Sequence, residues 1–319
     1  MASYKIIVPD TKILQRVCGT NDSNLKLIET ALGTSVFACG NELSVETEDS
    51  YVTERFRFII DRMLDEISDG APMTDSDLVH SILNTGDFCF ERACENVKSF
   101  EAYSILIPGG IKKVYPRTGG QALLVNALRT SDVVFATGPA GSGKTFLVMA
   151  EALRLVLSHK KSGIVLTRPV VEAGESLGYL PGDLEDKINP YVRPLYDAMN
   201  AVLPRETVKR MVDSGLVEVA PLAYMRGRTM NDSVVILDEA QNTSREQMKM
   251  FLTRMGEGSK LFITGDVTQI DLPSRTPSGL LHALSILRDV PGIAIRELCA
   301  DDVVRNPLVK KIIQAYDNE

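Results

Sequence analysis

Gly138-Pro139-Ala140-Gly141-Ser142-Gly143-Lys144-Thr145 sets a lysine and a hydroxyl directly behind three glycines. That G-x4-G-K-T spacing could cradle a run of phosphates. The glycines let the backbone turn tightly and aim its N–H groups inward as an anion nest. A helix beginning at the lysine adds positive partial charge at the same point. Lys144 would reach the β- and γ-phosphate oxygens, and the Thr145 hydroxyl would ligate Mg²⁺. A second chemical pair, Asp238-Glu239, ends the apolar run Val234-Val235-Ile236-Leu237. Asp238 would hold Mg²⁺ through water, and Glu239 would polarise an attacking water as general base. The two motifs together predict a nucleoside-triphosphate site. A Gly-rich turn before a helix would not call for Lys144 and Thr145 at those offsets.

Four further places could serve that chemistry. Gln121, upstream of the loop in Thr118-Gly119-Gly120-Gln121, has an amide able to pair with the N6 donor and N7 acceptor of adenine, which would select ATP. Its plainer use is to cap a helix after the Gly-Gly turn. Arg168 follows Ile164-Val165-Leu166-Thr167 and is placed to meet phosphate, of ATP or of nucleic acid, beyond a strand's carboxyl end. Gly265-Asp266-Val267-Thr268-Gln269 follows another apolar run, with Asp271 a weaker candidate behind it. Tyr224, Arg226 and Arg228 around Gly227 form a basic–aromatic patch suited to single-stranded nucleic acid, or a solvated loop.

The elements that must position these residues follow from apolar period. Val133 to Ala136, Gly163 to Thr167, Leu216 to Val219, Val234 to Leu237 and Leu261 to Thr264 read as buried parallel strands. Leu147, Val148, Leu153, Val156 and Leu157 mark the amphipathic helix behind the glycine loop. This is an α/β domain with a parallel sheet, predicted over residues 101–319. Glu172 to Pro194, rich in Gly, Pro and charge, reads as a functional excursion or an interface.

The first hundred residues differ in kind. They hold 9 Lys+Arg against 17 Asp+Glu, whereas residues 101–319 hold 26 against 25, so the acidity of the −7 chain lies at its front. A strand at Tyr4–Val8, a helix over 11–18, a break at Gly19–Ser23 and a helix to Leu32 come first. A hairpin through Gly40-Asn41 and a helix over 51–67 follow. That order resembles a KH RNA-binding module, with Gly19-Thr20-Asn21-Asp22 where the phosphate-clamping GxxG loop belongs. Asp22 replaces the second glycine, so RNA binding and a docking or oligomerisation role both stay open. A small α+β KH-like domain is thus expected at 1–70, and a helical connector at 71–100. Thr74-x-x-Asp77 opens a short helix there, and the stretch from Asn84 to Lys98 shows no clear period.

Cys18, Cys39, Cys89, Cys94 and Cys299 form no CxxC pair, and His80, His159 and His282 share no ligand spacing. Neither set suggests a disulfide frame or a zinc site. With no apolar run of membrane-spanning length and no signal-peptide pattern, a cytoplasmic protein is expected, without membrane association.

The segments TRPVVEAGESLGYLPGDLEDKINPYVRPLYDAM, VAPLAYMRGRTMNDSVVILDEAQNTSREQMKMFLTRMG, TGDVTQIDLPS and DDVVRNPLVKKII resemble the PhoH family of bacterial ATPases, with Asn306 where the family pattern has a histidine. The resemblance implies a RecA-like P-loop ATPase related to superfamily 1 helicases, linked to phosphate response and RNA metabolism. It implies partnership with an endoribonuclease or a ribosome-maturation factor. It also implies that Gln121 contacts adenine and that Gln269 senses the γ-phosphate. About 219 residues remain after the front module, enough for one RecA-like domain. The arginine that neutralises transition-state charge must then be Arg168 or Arg305, in cis or from a neighbouring subunit of a homo-oligomer. Three functions compete: an Mg²⁺-dependent ATPase that remodels or unwinds RNA, an ATP-gated module that docks a partner ribonuclease, and a small-molecule kinase. The last fits worst, because Asp238-Glu239 suits activation of water.

Overall fold

In the computed structural model, which describes residues 3–8, 10–68, 76–91, 103–169, 193–273 and 276–303, contacts divide the chain into two units. The first comprises the described residues up to Leu106 together with Gly110–Ala122. The second holds Ile107–Gly109 and the described residues from Leu123 onward. Residues 110–122 therefore group with the front module, although composition draws the line near residue 100. Tyr115 is part of that module's core, and Lys113 and the Tyr115 hydroxyl both donate to Glu66.

The first unit is a three-stranded antiparallel sheet with helices. Its strands β1 (Ser3–Ile7), β2 (Val36–Cys39) and β3 (Glu42–Glu46) lie in the order β1-β3-β2. The sequence alternates along them, so Leu43 and Val45 are buried while Phe37 on the other face is exposed. Asp10 caps α1 (Thr11–Cys18) by accepting from the Lys12 N–H. Gly33 ends α2 (Ser23–Leu32) at φ 67°, its N–H on the Glu29 carbonyl. Val17, Ile28, Phe56, Ile60 and Met63 fill the core, the last three from α3 (Ser50–Ser68). The expected β-α-α-β-β-α order is present. Between α1 and α2, Asn21 and Asp22 both take the left-handed conformation at φ 56° and 57°. One expectation fell short: α4 (Ser76–Glu91) runs on through residues 84–91, where the sequence shows no period.

The second unit is built on six parallel strands: β4 (Val133–Thr137), β5 (Gly163–Thr167), β6 (Val217–Val219), β7 (Ser233–Leu237), β8 (Lys260–Gly265) and β9 (Ile293–Glu297). Their order is β6-β5-β7-β8-β4-β9. Phe135, Val165, Val235, Leu237, Leu261 and Ile263 share one face. That face packs on α9 (Arg245–Leu252) and α10 (Gly279–Ile286) through Met248, Phe251, Leu280 and Ala283. Residues alternate along a strand, so Val134, Ala136, Ile164, Leu166, Val234 and Ile236 face the other way, where α6 (Lys144–Leu157) lies against β5, β7 and β8. Burial on both faces is why these strands are continuously apolar. The unit also contains most of α5 (Gly119–Thr130), a helix over residues 193–200 (α7) and α8 (Arg205–Asp213).

Lys260 fastens α5 to the sheet, and Glu151 lies between α6 and α5. Lys260 donates to the carbonyls of Leu128, Arg129 and Ser131, closing the carboxyl end of α5, and burial lowers its pKa. Glu151, fully buried on α6, takes two hydrogen bonds from Arg154 at 2.8 and 2.5 Å, with the Arg129 guanidinium 3.9 Å away. Those bonds raise the Arg154 pKa and leave no bare charge in the interior.

Candidate active site

The order β7-β8-β4 brings three strand tips side by side, and each carries one part of the site. β4 leads into the glycine loop, β7 into Asp238-Glu239, and β8 into Gly265-Asp266. In a parallel sheet this carboxyl edge is where ligands bind. A cavity of about 260 Å³ opens there, lined among others by Gly141, Lys144, Thr145, Asp238, Glu239 and Gln269. The structure therefore gathers these six expected site residues from three separate stretches.

The loop has the geometry its glycines allow. Gly138, Gly141 and Gly143 sit at φ 137°, 84° and 83°, where other residues are strained. Gly138 is needed twice over, since a Cβ there would lie 2.4 Å from the Leu298 carbonyl oxygen. Lys144 donates to the carbonyls of Gly138 and Pro139 at 2.6 and 2.8 Å, so its ammonium lies across the cradle. Ala140 and Gly143 line the cavity, and Ser142 donates to the Pro139 carbonyl.

Asp238 is buried, and its Oδ1 accepts from two hydroxyls, Thr145 at 2.9 Å and Thr264 at 2.5 Å. A carboxylate and a hydroxyl in contact are the hard oxygen donors that suit Mg²⁺. Glu239 stands nearer the rim, its side chain 35% exposed. Its backbone is left-handed at φ 55°, which costs a non-glycine residue on the order of 1 kcal/mol. Arg168 Nη2 lies 3.2 Å from Glu239 Oε1, and Gln241 Nε2 donates to Oε2 at 2.6 Å. Arg168 thus meets the expected base in this structure. Gln269 donates from Nε2 to the Asp266 carboxylate at 3.0 Å, while the other oxygen of that carboxylate takes Thr268. Asp271 is held by Asn242 through its backbone N–H.

The remaining expectations fall elsewhere. Gln121 lies in the stretch grouped with the first unit. Its Oε1 accepts from the Arg117 N–H at 2.7 Å and its own N–H donates to Thr118 Oγ1 at 3.2 Å, a helix-start arrangement. Capping, the plainer of its two uses, is the one displayed. Arg228, from the expected basic patch, is engaged within the chain. Its guanidinium makes a two-pronged pair with Glu218 at 2.6 and 2.7 Å, which neutralises it locally, while Arg226 and Tyr224 are exposed. Arg305 lies outside the described residues, as do residues 172–192 of the Glu172–Pro194 excursion. Thr264, Asp266 and Gln241 were missed by sequence reasoning. Thr264 and Asp266 could have been found from the strand tip itself, since both stand where β8 meets the glycine that starts the Gly265–Gln269 segment.

The model for the family described as PhoH-like protein matches residues 113–317. The chain is 45% identical over 305 residues to a PhoH-like protein of Bacillus subtilis, covering 94% of this chain and 93% of that one. It is 44% identical to a PhoH-like protein of Mycobacterium tuberculosis, over 93% of this chain and 83% of the other. Against Protein PhoH of Escherichia coli the identity is 42%, over 64% of this chain and 58% of that protein. Among solved structures, Pif1 helicase from Candida albicans aligns over 62% of this chain and 42% of its own, at a TM-score of 0.33 and 15% identity.

Proposed function

The chain belongs to the PhoH-like protein family and is a P-loop NTPase, and from that premise we propose that it is an Mg²⁺-dependent ATPase coupling hydrolysis to the remodelling of RNA. One observation carries this reading: the Thr145 hydroxyl on buried Asp238, with the Glu239 carboxylate at the rim of the same cavity. Lys144 exchanges the Gly138 and Pro139 carbonyls for β- and γ-phosphate oxygens, and the glycine-loop N–H groups take the remaining charge. Thr145 and Asp238 would hold Mg²⁺, whose chemistry when bound is to neutralise charge on the phosphates. Glu239 accepts the proton of the attacking water. Arg168 turns from Glu239 to the γ-phosphate, and Gln269 turns from Asp266 to report that phosphate. Arg305, in cis or from a neighbouring subunit, is the further arginine proposed for the transition state.

A second reading, the ATP-gated module that docks a partner ribonuclease, is favoured by one finding. With Arg228 bound to Glu218, less free positive charge remains for an RNA groove around Arg226. The test is ATP turnover by the full chain, with and without single-stranded RNA, together with duplex unwinding. Phosphate release without any added acceptor, raised by RNA, is expected. Glu239→Gln should lower kcat by ~10²–10³ while ATP still binds. Turnover indifferent to RNA, with no strand separation, would select the docking module, and absence of any phosphate release would end the ATPase reading. Among the described residues no helix is long and apolar enough to cross a membrane.

A further inference from the structure

Gln241 is buried at 1% exposure and takes part in three hydrogen bonds. Its Nε2 donates to Glu239 Oε2 at 2.6 Å, its Oε1 accepts from the Asp266 N–H at 3.0 Å, and its carbonyl accepts from Ser278 Oγ at 2.8 Å. The partners dictate which way the amide points, because a carboxylate only accepts and a backbone N–H only donates. Gly265 makes room for it: a Cβ there would come within 2.9 Å of Gln241 Oε1 and 2.6 Å of Leu280 Cδ2. Asp266, in turn, holds the amide of Gln269 and both donors of Thr268. A continuous line of hydrogen bonds therefore runs Glu239–Gln241–Asp266–Gln269, from the tip of β7 to the tip of β8.

We infer that Gln241 is a positioning residue that fixes the Glu239 carboxylate and ties it to the Gly265–Gln269 segment. A residue drawn toward phosphate at Gln269 thereby sets the aim of the base at Glu239. This rests on the assignment of Glu239 as general base made above. The geometry calls for glutamine in particular. Glutamate lacks the donor and sets a second carboxylate against Glu239, asparagine is one methylene short, and methionine offers neither bond.

The experiment is a double-mutant cycle in the full chain. Gln241→Glu and Gln241→Met should each lower kcat for MgATP by ~10²-fold, the size expected for a misplaced catalytic group, while KM stays within about two-fold. In a Glu239→Gln background, the single-turnover rate should change by less than about two-fold on adding Gln241→Glu, since a residue acting only through Glu239 has nothing left to position. Binding of a fluorescent ATP analogue reports that each variant is folded. An unchanged kcat, a KM that rises in step with the loss of kcat, or effects that multiply in the double variant would overturn the inference. If Glu239→Gln itself retained full turnover, the general-base assignment would fall first. If Glu239→Gln collapsed and Gln241→Glu did not, this inference alone would be wrong.

Discussion

Two arginine–glutamate pairs border the parallel sheet, one on β6 and the loop after it, the other beyond the tips of β5 and β7. Arg228 grips both oxygens of Glu218 on β6, at 2.6 and 2.7 Å, and its own carbonyl accepts from Arg254. Arg168, just beyond β5, meets one oxygen of Glu239 at 3.2 Å while Gln241 takes the other. The first carboxylate is consumed by its arginine, so the pair ties the loop after β6 back onto the strand. The second is shared, so in the proposed mechanism the arginine would turn to phosphate while the amide keeps the carboxylate in place. The same two residue types thus make a fastening in one place and an exchangeable contact in the other, and the third partner decides which.

The sharpest way to break that contrast is to remove each arginine in turn. Arg168→Ala should lower kcat for ATP on the order of 10³-fold, the range of an arginine that meets phosphate in the transition state. Arg228→Ala should leave kcat within about two-fold, because its pair lies outside the reacting groups. Steady-state hydrolysis by the two variants settles it. Equal losses would mean that both pairs serve the same purpose.

How far this contrast could be read beforehand differs by element. The glycine loop, the strand ending in Asp238-Glu239 and the β-α-α-β-β-α order of the first unit are local patterns, and apolar period with motif spacing carries them. β9 escaped because Ile293-Ala294-Ile295 is only half-buried at the sheet edge, too short and mixed to stand out. The helical backbone of residues 84–91 escaped because the polar run Asn84-Thr85-Gly86-Asp87 interrupts the apolar period of Leu78 to Leu83. The partners of Glu239 and of Gln241 escaped for a different reason. Arg168 and Asp266 follow other strands, and only the order β5-β7-β8 brings them beside the tip of β7. Gln241, two residues from Glu239, was in plain view, but its second partner was not. Arg228 reads as part of a basic patch because its charge is visible in sequence and its bond to Glu218 is not.

A smaller effect sharpens the same comparison on the side of stability. Both Glu218 and Arg228 are more than a third exposed, so solvent screens the pair and Arg228→Ala should cost only about 0.5–1 kcal/mol at neutral pH. Urea unfolding, with the slope unchanged, measures it. The Arg168→Ala variant should lose less than Arg228→Ala, since Gln241 still holds Glu239.

The smallest effect is the pH dependence of that cost, and its sign follows from the pair. Hydrogen bonding by Arg228 holds the Glu218 carboxyl below the usual carboxylate range, and the same bond raises the Arg228 pKa. The folded state therefore resists protonating Glu218 while the unfolded chain takes up the proton near the ordinary glutamate value of about 4.3. Stability from the pair is complete above that value and is lost as the pH falls below it, through the lower folded value. Arg228→Ala has no such depression to lose. The gap in unfolding free energy between the parent chain and Arg228→Ala should hold steady down to roughly pH 5 and close below about pH 4, as the pair's carboxylate is neutralised. A gap that stayed constant through the acid range would show that Arg228 acts by packing its stem, and the contrast between a charged fastening and an exchangeable contact would then have to be drawn on geometry alone.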